Sequence, residues 1–135
     1  MITSIAHTTI YVLNQDEALD FYKNKLGFEV GDDMKIEGGF RWLTVYPQSK
    51  PQTQLVLAEP KEGPMFTKDS AEKIRSLIEE GAFGAGVFET ENCIKTYEEL
   101  IVKGVEFIQP PTKQLYGVEA MGVDNSGNWF SLVQR

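Results

Sequence analysis

Basic residues, cysteine and histidine are all scarce in this chain of 135 residues. Lysine and arginine number 13 against 20 aspartates and glutamates, which gives a net charge of -7. This deficit of positive charge argues against a nucleic-acid partner, because phosphate backbones are bound by clustered basic side chains. The single cysteine, Cys93, excludes an intrachain disulfide and is typical of a reducing compartment. The single histidine, His7, excludes a metal site that takes two imidazoles from one chain.

Long hydrophobic runs are absent as well. No apolar segment approaches the roughly 20 residues that a membrane-spanning helix needs. The start Met1-Ile2-Thr3-Ser4-Ile5 lacks the basic and apolar pattern of a secretion signal. We therefore expect no membrane partner and a cytoplasmic location. The hydrophobic fraction of 41% is that of an ordinary globular domain.

Two parts of the chain repeat one pattern of strand, helix and strand. The first copy begins at residues 7–12 and closes at 26–30, and the second begins at 85–90 and closes at 103–107. A module of about 55 to 60 residues would bury too little surface to be stable alone. We therefore predict a single domain over residues 1–135. It consists of module one at about 1–60, a connecting loop and helix at about 61–83, and module two at about 84–135.

The first module is predicted to contain four strands and one helix. Ile5 to Val12 is rich in β-branched residues, and Asn14 with Glu17 forms a capping box for the helix that follows. Gly27 ends this helix. The remaining strands are predicted to begin at Phe28 and to cover 40–46 and 53–57. The pair Asp32-Asp33 is interpreted as a solvated turn at a strand end.

The rest of the chain is predicted to repeat this plan after a connecting helix. Asp69 and Glu72 are expected to form the capping box of that helix. In module two, one helix face is expected to carry Cys93, Tyr97, Leu100 and Ile101. Strands follow at 105–108, where Pro110-Pro111 is expected to break the chain, and at 116–123 and 129–133. The turn 124–128 joins the last two strands.

Five sequence features together resemble the vicinal oxygen chelate (VOC) superfamily, the group of glyoxalase I, bleomycin-resistance proteins and extradiol dioxygenases. They are His7 on the first strand, Phe21-Tyr22, Leu26-Gly27-Phe28, Lys103-Gly104-Val105, and the stretch Asp124-Asn125-Ser126-Gly127-Asn128-Trp129. The resemblance implies an α+β fold of paired βαβββ modules. These form a cupped mixed sheet around a small-molecule cleft, commonly in a homodimer. It does not imply one activity, since this fold hosts several.

Metal-dependent members of this family hold a divalent ion with side chains from four strand positions. By resemblance the first falls on His7, the second on Gln54, the third on Ala85 or Gly84, and the fourth on Ser131. Ala85 and Gly84 have no ligating atom, and the Ser131 hydroxyl is a poor ligand. We therefore expect a degenerate metal site with no metal or other cofactor. The residual metal candidates are His7, Gln54 and Glu119.

The leading functional prediction is a protein that binds a small organic molecule in the inter-module cleft without a metal. Its ligand site is predicted to be lined by a few polar groups and an aromatic ring, namely His7, Thr9, Trp42, Gln54 and Ser131. The alternative is a metal-dependent lyase, isomerase or dioxygenase of glyoxalase type, with Glu119, water or substrate completing the ligand set. A third is an enzyme that uses His7 as a general base without metal.

Each of these residues also has a purely structural interpretation. His7 could be a hydrogen-bonded core histidine, and Ser131 a small residue that makes room. Gln54 could be an exposed polar residue, and Gln52 shares its strand parity. Strand alternation places Phe40, Trp42, Thr44 and Tyr46 on one face, where aromatic rings could stack on a flat ligand or fill the core or a dimer interface.

Overall fold

The computed structural model describes every residue from Met1 to Arg135, and the chain divides into two compact units. The first unit is Met1–Arg75 and the second is Ser76–Arg135. Each unit contains one four-stranded mixed sheet. In each, a strand and a helix precede three further strands, so the prediction of an α+β fold with paired βαβββ modules is confirmed.

The first unit follows the predicted order of elements. Its elements are β1 (His7–Tyr11), α1 (Gln15–Asp20) with a π-helical turn (Phe21–Lys25), β2 (Glu29–Ile36), β3 (Phe40–Tyr46) and β4 (Gln54–Ala58). The strands lie side by side in the order β1-β4-β3-β2. β1 and β4 are parallel, while the other neighbours are antiparallel.

The termini of α1 agree with the sequence prediction. The Asn14 side chain accepts a hydrogen bond from the backbone N–H of Glu17 at 2.9 Å, which satisfies one of the unpaired donors of the first turn. After the π-helical turn the chain passes through Gly27 at φ 81°, a left-handed conformation that glycine adopts without steric cost. The Asn14 cap of the predicted capping box and the stop at Gly27 are therefore confirmed.

The core of the first unit lies between α1 and one face of its sheet. The ion pair from Arg41 to Asp16 of α1 places the Arg41 side of β3 on this face, together with Leu43 and Val45, which are fully buried. Ala18 and Tyr22 contribute buried side chains from the helical segment. The opposite side of the sheet, which carries Trp42 and Thr44, is called here the face away from α1.

The second unit has the same plan. The helix α2 (Lys68–Glu79) crosses the boundary between the units and is followed by β5 (Gly84–Glu89), α3 (Cys93–Val102), β6 (Glu106–Gln114), β7 (Gly117–Val123) and β8 (Trp129–Gln134). The strand order is β5-β8-β7-β6. Tyr97 of α3 contacts Phe107, and Phe107 contacts Phe130, so these rings form the core between α3 and the sheet. The other side is the face away from α3.

Three local predictions are wrong. Asp32 and Asp33 lie within β2 at an irregularity of the β2–β3 pairing, where Asp33 accepts hydrogen bonds from Arg41 and is not part of a solvated turn. At the start of α2 the cap is a reciprocal pair of hydrogen bonds between Thr67 and Ser70, so Asp69 and Glu72 do not form it.

The third error concerns Pro110-Pro111, which does not end a strand. β6 continues through both residues. It is an edge strand, and its pairing with β7 shifts in register between Gln109 and Thr112. Since no backbone N–H is needed there for a hydrogen bond to β7, two prolines can be accommodated. On the predicted apolar face of α3, Cys93 and Leu100 are buried and Ile101 is 45% exposed.

No helix of the chain combines the length and the apolar character that crossing a membrane would require.

Candidate functional site

Four of the five predicted ligand-site residues lie on the face away from α1. His7 pairs with Gln54 across β1 and β4, and Thr9 pairs with Val56. Val56 in turn pairs with Thr44 of β3, which shares its face with Trp42. Pattern alone left the register of β4 open, and the structure places Gln54 opposite His7. Gln52 lies outside β4, before its first residue.

A hydrogen-bond chain links three strands on this face. The Thr44 hydroxyl donates to Gln54 Oε1 at 2.8 Å and accepts from the backbone N–H of Asp32 at 2.8 Å. Gln54 Nε2 donates to the carbonyl of Pro51 at 3.3 Å. The side-chain amide of Gln54 is therefore held through both its oxygen and its nitrogen. The oxygen already accepts a hydrogen bond from Thr44.

Gly31 provides the space for this hydrogen-bond chain. A Cβ at this position would lie 2.5 Å from Gln54 Oε1 and would also collide with the Thr44 hydroxyl. We expect Gly31→Ala to break the Thr44–Gln54 hydrogen bond and to lower the free energy of unfolding by about 2 kcal/mol. Urea denaturation measures this change. Gly63→Ala is the matched control, because a Cβ there meets only a backbone oxygen at 4.0 Å. Equal losses in the two variants would contradict the role of Gly31.

His7 lies on the surface of the sheet beside Trp42. The two rings are 5.3 Å apart between centroids in an edge-to-face arrangement. His7 is exposed, so the interpretation as a buried core histidine is wrong. The Trp42 indole N–H donates to Asp32 Oδ2 at 3.3 Å, which fixes the orientation of the indole. The pair offers the flat indole of Trp42 with the polar imidazole of His7 standing beside it at a steep angle.

Apolar side chains that the sequence analysis did not include extend this surface. Met34 pairs with Trp42 and Ile36 pairs with Phe40 across β2 and β3, so all four share the face away from α1. Met34, Ile36 and Phe40 are each about half exposed, at 52%, 47% and 49%. Alternation within β2 would have identified Met34 and Ile36 in a regular strand. The irregularity after Val30 shifts the alternation, so the sequence does not show which face these two residues occupy.

Arg41 is not available to an anionic ligand. It projects toward α1 and donates to Asp16 at 2.7 Å and to Asp33 at 2.8 and 3.0 Å. The hydrogen bond from Arg41 lowers the pKa of the Asp33 carboxyl below its ordinary value. The guanidinium is therefore engaged by two carboxylates on the opposite side of the sheet from Trp42.

Ser131, the fifth predicted residue, lies in the second unit on the face away from α3. It pairs with Val87 of β5 and with Met121 of β7. The side chain is 7% exposed. Trp129 shares this face, since it lies two residues before Ser131 in the same strand. This simple alternation could have identified Trp129, which the sequence analysis did not include among the ligand-site residues.

The third metal position has no ligating group in either alignment. Ala85 lies at a register shift of the β5–β8 pairing, and Gly84 pairs with Trp129. A Cβ on Gly84 would lie 2.6 to 2.8 Å from the Trp129 ring, so even a small side chain there would displace the indole. The absence of a side chain at position 84 therefore makes room for the Trp129 ring.

Glu119, the remaining acidic candidate, lies on the face away from α3. It pairs with Val133, next to the Met121–Ser131 pair. Its Oε1 accepts a hydrogen bond from the Tyr116 hydroxyl at 2.7 Å, and this bond raises the pKa of the Tyr116 phenol. The carboxylate is thus paired with a neighbouring side chain.

The donors at the four positions do not fit a divalent metal site of glyoxalase type. Gln54 contributes an oxygen that already accepts from Thr44, and Ser131 contributes a neutral hydroxyl. No group of three or more histidine, cysteine, aspartate or glutamate side chains in the chain could hold a metal ion. The expectation that no metal binds stays a prediction.

Cys93 is part of the second unit's core. It is fully buried at the start of α3, and its thiol donates to the Leu132 carbonyl at 3.4 Å. Burial raises the pKa of the Cys93 thiol, which disfavours the nucleophilic thiolate.

Comparison with known proteins identifies a family and several relatives. Residues 4–132 match the family model described as the Glyoxalase/Bleomycin resistance protein/Dioxygenase superfamily. The uncharacterized protein YurT of Bacillus subtilis (strain 168) is 37% identical over 132 residues, which cover 97% of this chain and 98% of YurT.

Solved structures share the fold over nearly the whole chain. UcmS2 superposes with a TM-score of 0.92 at 45% identity, and the match covers 100% of both chains. TnmS3, described as an antibiotic binding protein from Streptomyces sp. CB03234, superposes with a TM-score of 0.76 at 26% identity. That match covers 98% of this chain and 96% of TnmS3.

Proposed function

Since the chain belongs to the Glyoxalase/Bleomycin resistance protein/Dioxygenase superfamily, we propose that it binds a small, largely apolar organic molecule of the antibiotic kind. Binding requires no metal and leaves the molecule chemically unchanged. This is the function of a sequestering protein rather than of an enzyme. Small-molecule binding also agrees with the description of TnmS3 as an antibiotic binding protein.

The observation that carries the proposal is the composition of the face away from α1. The Trp42 ring, with the exposed apolar side chains Met34, Ile36 and Phe40 beside it, gives a wide apolar surface. His7 and Thr9 add a few polar groups at one side. An apolar surface with few, fixed polar groups is the usual composition of a site for an organic ligand.

Neutral side chains at the metal positions support binding over metal catalysis. A metal Lewis acid would need charged or imidazole ligands, and this chain offers one imidazole, an amide already bonded to Thr44, and a hydroxyl. Arg41 and Asp33 neutralise each other on the opposite face of the sheet, so the Trp42 surface carries no guanidinium that would favour an anion. The ligand is therefore expected to carry no negative charge at the end that contacts Trp42, where Asp32 is the neighbouring charged group.

Tryptophan fluorescence provides the test. The chain has two tryptophans, so in a Trp129→Phe background Trp42 is the only source of tryptophan fluorescence. Titration with a panel of aromatic antibiotics is expected to change Trp42 emission with at least one member. Because stacked indoles are frequent anchors of binding energy, Trp42→Ala in the native background is expected to weaken that ligand about tenfold or more, measured by calorimetry.

Two controls accompany this measurement. The first is Lys35→Ala. Lys35 lies on the same hairpin but pairs with Arg41, so its side chain is on the side of the sheet that faces α1. This substitution is expected to leave affinity unchanged. Treatment with EDTA is also expected to leave affinity unchanged, and mass spectrometry should recover the ligand intact. Affinity that EDTA abolishes and nickel or zinc restores, or recovery of a converted product, would favour the metal-dependent lyase, isomerase or dioxygenase instead. The predicted homodimer and cytoplasmic location stay predictions.

A further inference from the structure

Gln109 lies on the face away from α3 because of a local irregularity in β6. Phe107 pairs with Gly122 and packs in the core, whereas Gln109 pairs with Met121. The register shift between Phe107 and Gln109 leaves Ile108 as the extra residue, and Ile108 is 64% exposed. This extra residue reverses the alternation, so Gln109 points to the side of the sheet opposite to Phe107.

The amide nitrogen of Gln109 has no hydrogen-bond partner. Gln109 Nε2 is the one buried side-chain nitrogen or oxygen in the chain that makes no such bond. Other polar groups of the unit, such as Asn128 Nδ2 on Asp124, are paired. An unpaired buried donor destabilises a folded protein, so a native structure that contains one points to a role beyond stability.

Gln109 belongs to a row of three side chains that crosses three strands. Gln109 pairs with Met121, and Met121 pairs with Ser131. The three lie side by side on one face, because directly opposed residues of antiparallel strands share a face. The row places an amide at one end, a thioether in the middle and a hydroxyl at the other end.

Charge near this row limits the ligand that it can take. Glu119 and Glu89 both flank Val133 in the neighbouring row, and Glu89 is paired with Arg135. Glu119 is hydrogen-bonded to Tyr116 and has no cationic partner. An anionic ligand group would be repelled by this carboxylate, whereas an uncharged acceptor would not. The unpaired Gln109 amide nitrogen favours a ligand group that accepts a hydrogen bond, and the Glu119 carboxylate disfavours an anionic one. Together they favour an uncharged oxygen on the ligand.

We propose that the row Gln109, Met121 and Ser131 is a subsite for an uncharged carbonyl group of an apolar organic ligand. The inference rests on the proposed function, because it takes the ligand to be an apolar organic molecule, and it concerns the second unit alone. Gln109 Nε2 donates to the carbonyl oxygen, and the Met121 thioether supplies an adaptable apolar contact. The Ser131 hydroxyl is a second donor. Gln109 as a residue is half-buried, and donation to the ligand requires its side chain to turn so that Nε2 reaches the face away from α3.

The test uses two probes of the same shape, 9-fluorenone and fluorene, which differ by one carbonyl group. Their dissociation constants are measured for the full chain and for Gln109→Met, which keeps the length of the side chain and removes the amide. The preference for fluorenone over fluorene is expected to fall about fivefold to tenfold in the variant, the loss of one hydrogen bond. Gln114→Met, a change of the same type on the same strand, is the control and should keep the preference.

Thermal unfolding without a ligand gives a second readout. Because Gln109→Met removes an unpaired buried donor, it is expected to raise Tm by about 2 to 6 °C. A purely structural amide would give the opposite sign. The inference is overturned if the variant has a lower Tm or if the fluorenone preference is the same in both proteins. Equal binding of both probes by the native chain would also overturn it and leave the proposed function standing, while binding of neither probe would count against both.

Discussion

Replacement of Phe130 by alanine is expected to lower the free energy of unfolding by about 4 kcal/mol. Phe130 is 0% exposed, and its ring lies 5.4 Å from the Phe88 ring and 6.1 Å from the Phe107 ring between centroids. Gly122 lies directly against it, since a Cβ there would be 2.5 Å from the edge of the Phe130 ring. The glycine has no side chain that could fill the space, so truncation leaves a cavity in addition to the lost burial.

Urea denaturation followed by circular dichroism measures this loss, and Tm is expected to fall by about 12 °C. Phe40→Ala is the matched control, because it makes the same chemical change at a ring that is 49% exposed. We expect that variant to lose less than about 1 kcal/mol. A small loss at Phe130, or equal losses at both positions, would contradict the assignment of Phe130 to the core.

The regularity of an element explains how much of the fold could be predicted from sequence. Phe40 to Tyr46 is a regular strand, so alternation alone placed Trp42 and Thr44 on the side of the sheet opposite to Leu43 and Val45. The capping of α1 by Asn14 and its stop at Gly27 are local, which makes them predictable from a few residues. Local signals were therefore sufficient for β3 and for the ends of α1, but not for the start of α2, which is capped by Thr67 and Ser70.

Two of the three errors fall where strand pairing is irregular, and the other is the cap of α2. β2 has a register shift between Val30 and Asp33, and β6 has shifts on both sides of Gln109. An extra residue in one strand is stabilised by its partner strand, so the sequence of the bulged strand contains no local signal for it. This is why Asp32-Asp33 was interpreted as a turn and Pro110-Pro111 as a break.

The candidate site was predictable to the same extent. The aromatic face follows from alternation in β3, whereas the pairing of Gln54 with His7 depends on the register of β4, which pattern alone left open. Gln109 could not be found, since strict alternation would place it with Phe107 in the core. Its role depends on one inserted residue, Ile108, and on the absence of a partner for its amide, neither of which a single sequence reveals.

Asp124→Ala is the second substitution with a large expected effect. The Asp124 carboxylate is nearly buried, and its Oδ1 accepts from the backbone N–H groups of Ser126 at 2.9 Å, Gly127 at 3.1 Å and Asn128 at 3.0 Å. Its Oδ2 accepts from Asn128 Nδ2 at 3.1 Å. Alanine would remove all four contacts to the buried carboxylate, so we expect a loss of about 3 kcal/mol in the free energy of unfolding.

Two further variants show whether this loss arises from the turn itself. Asp69→Ala removes an exposed carboxylate that is paired with Lys73 at 2.9 Å, and it is expected to cost about 0.5 kcal/mol. Asp124→Asn keeps one acceptor oxygen for the backbone donors but turns an NH₂ group toward Asn128, so an intermediate loss is expected. A value for Asp124→Ala close to that of Asp69→Ala would mean that the backbone donors of 126–128 find other acceptors. The turn that joins β7 to β8, and with it the position of Ser131 beside Met121, would then not depend on this carboxylate.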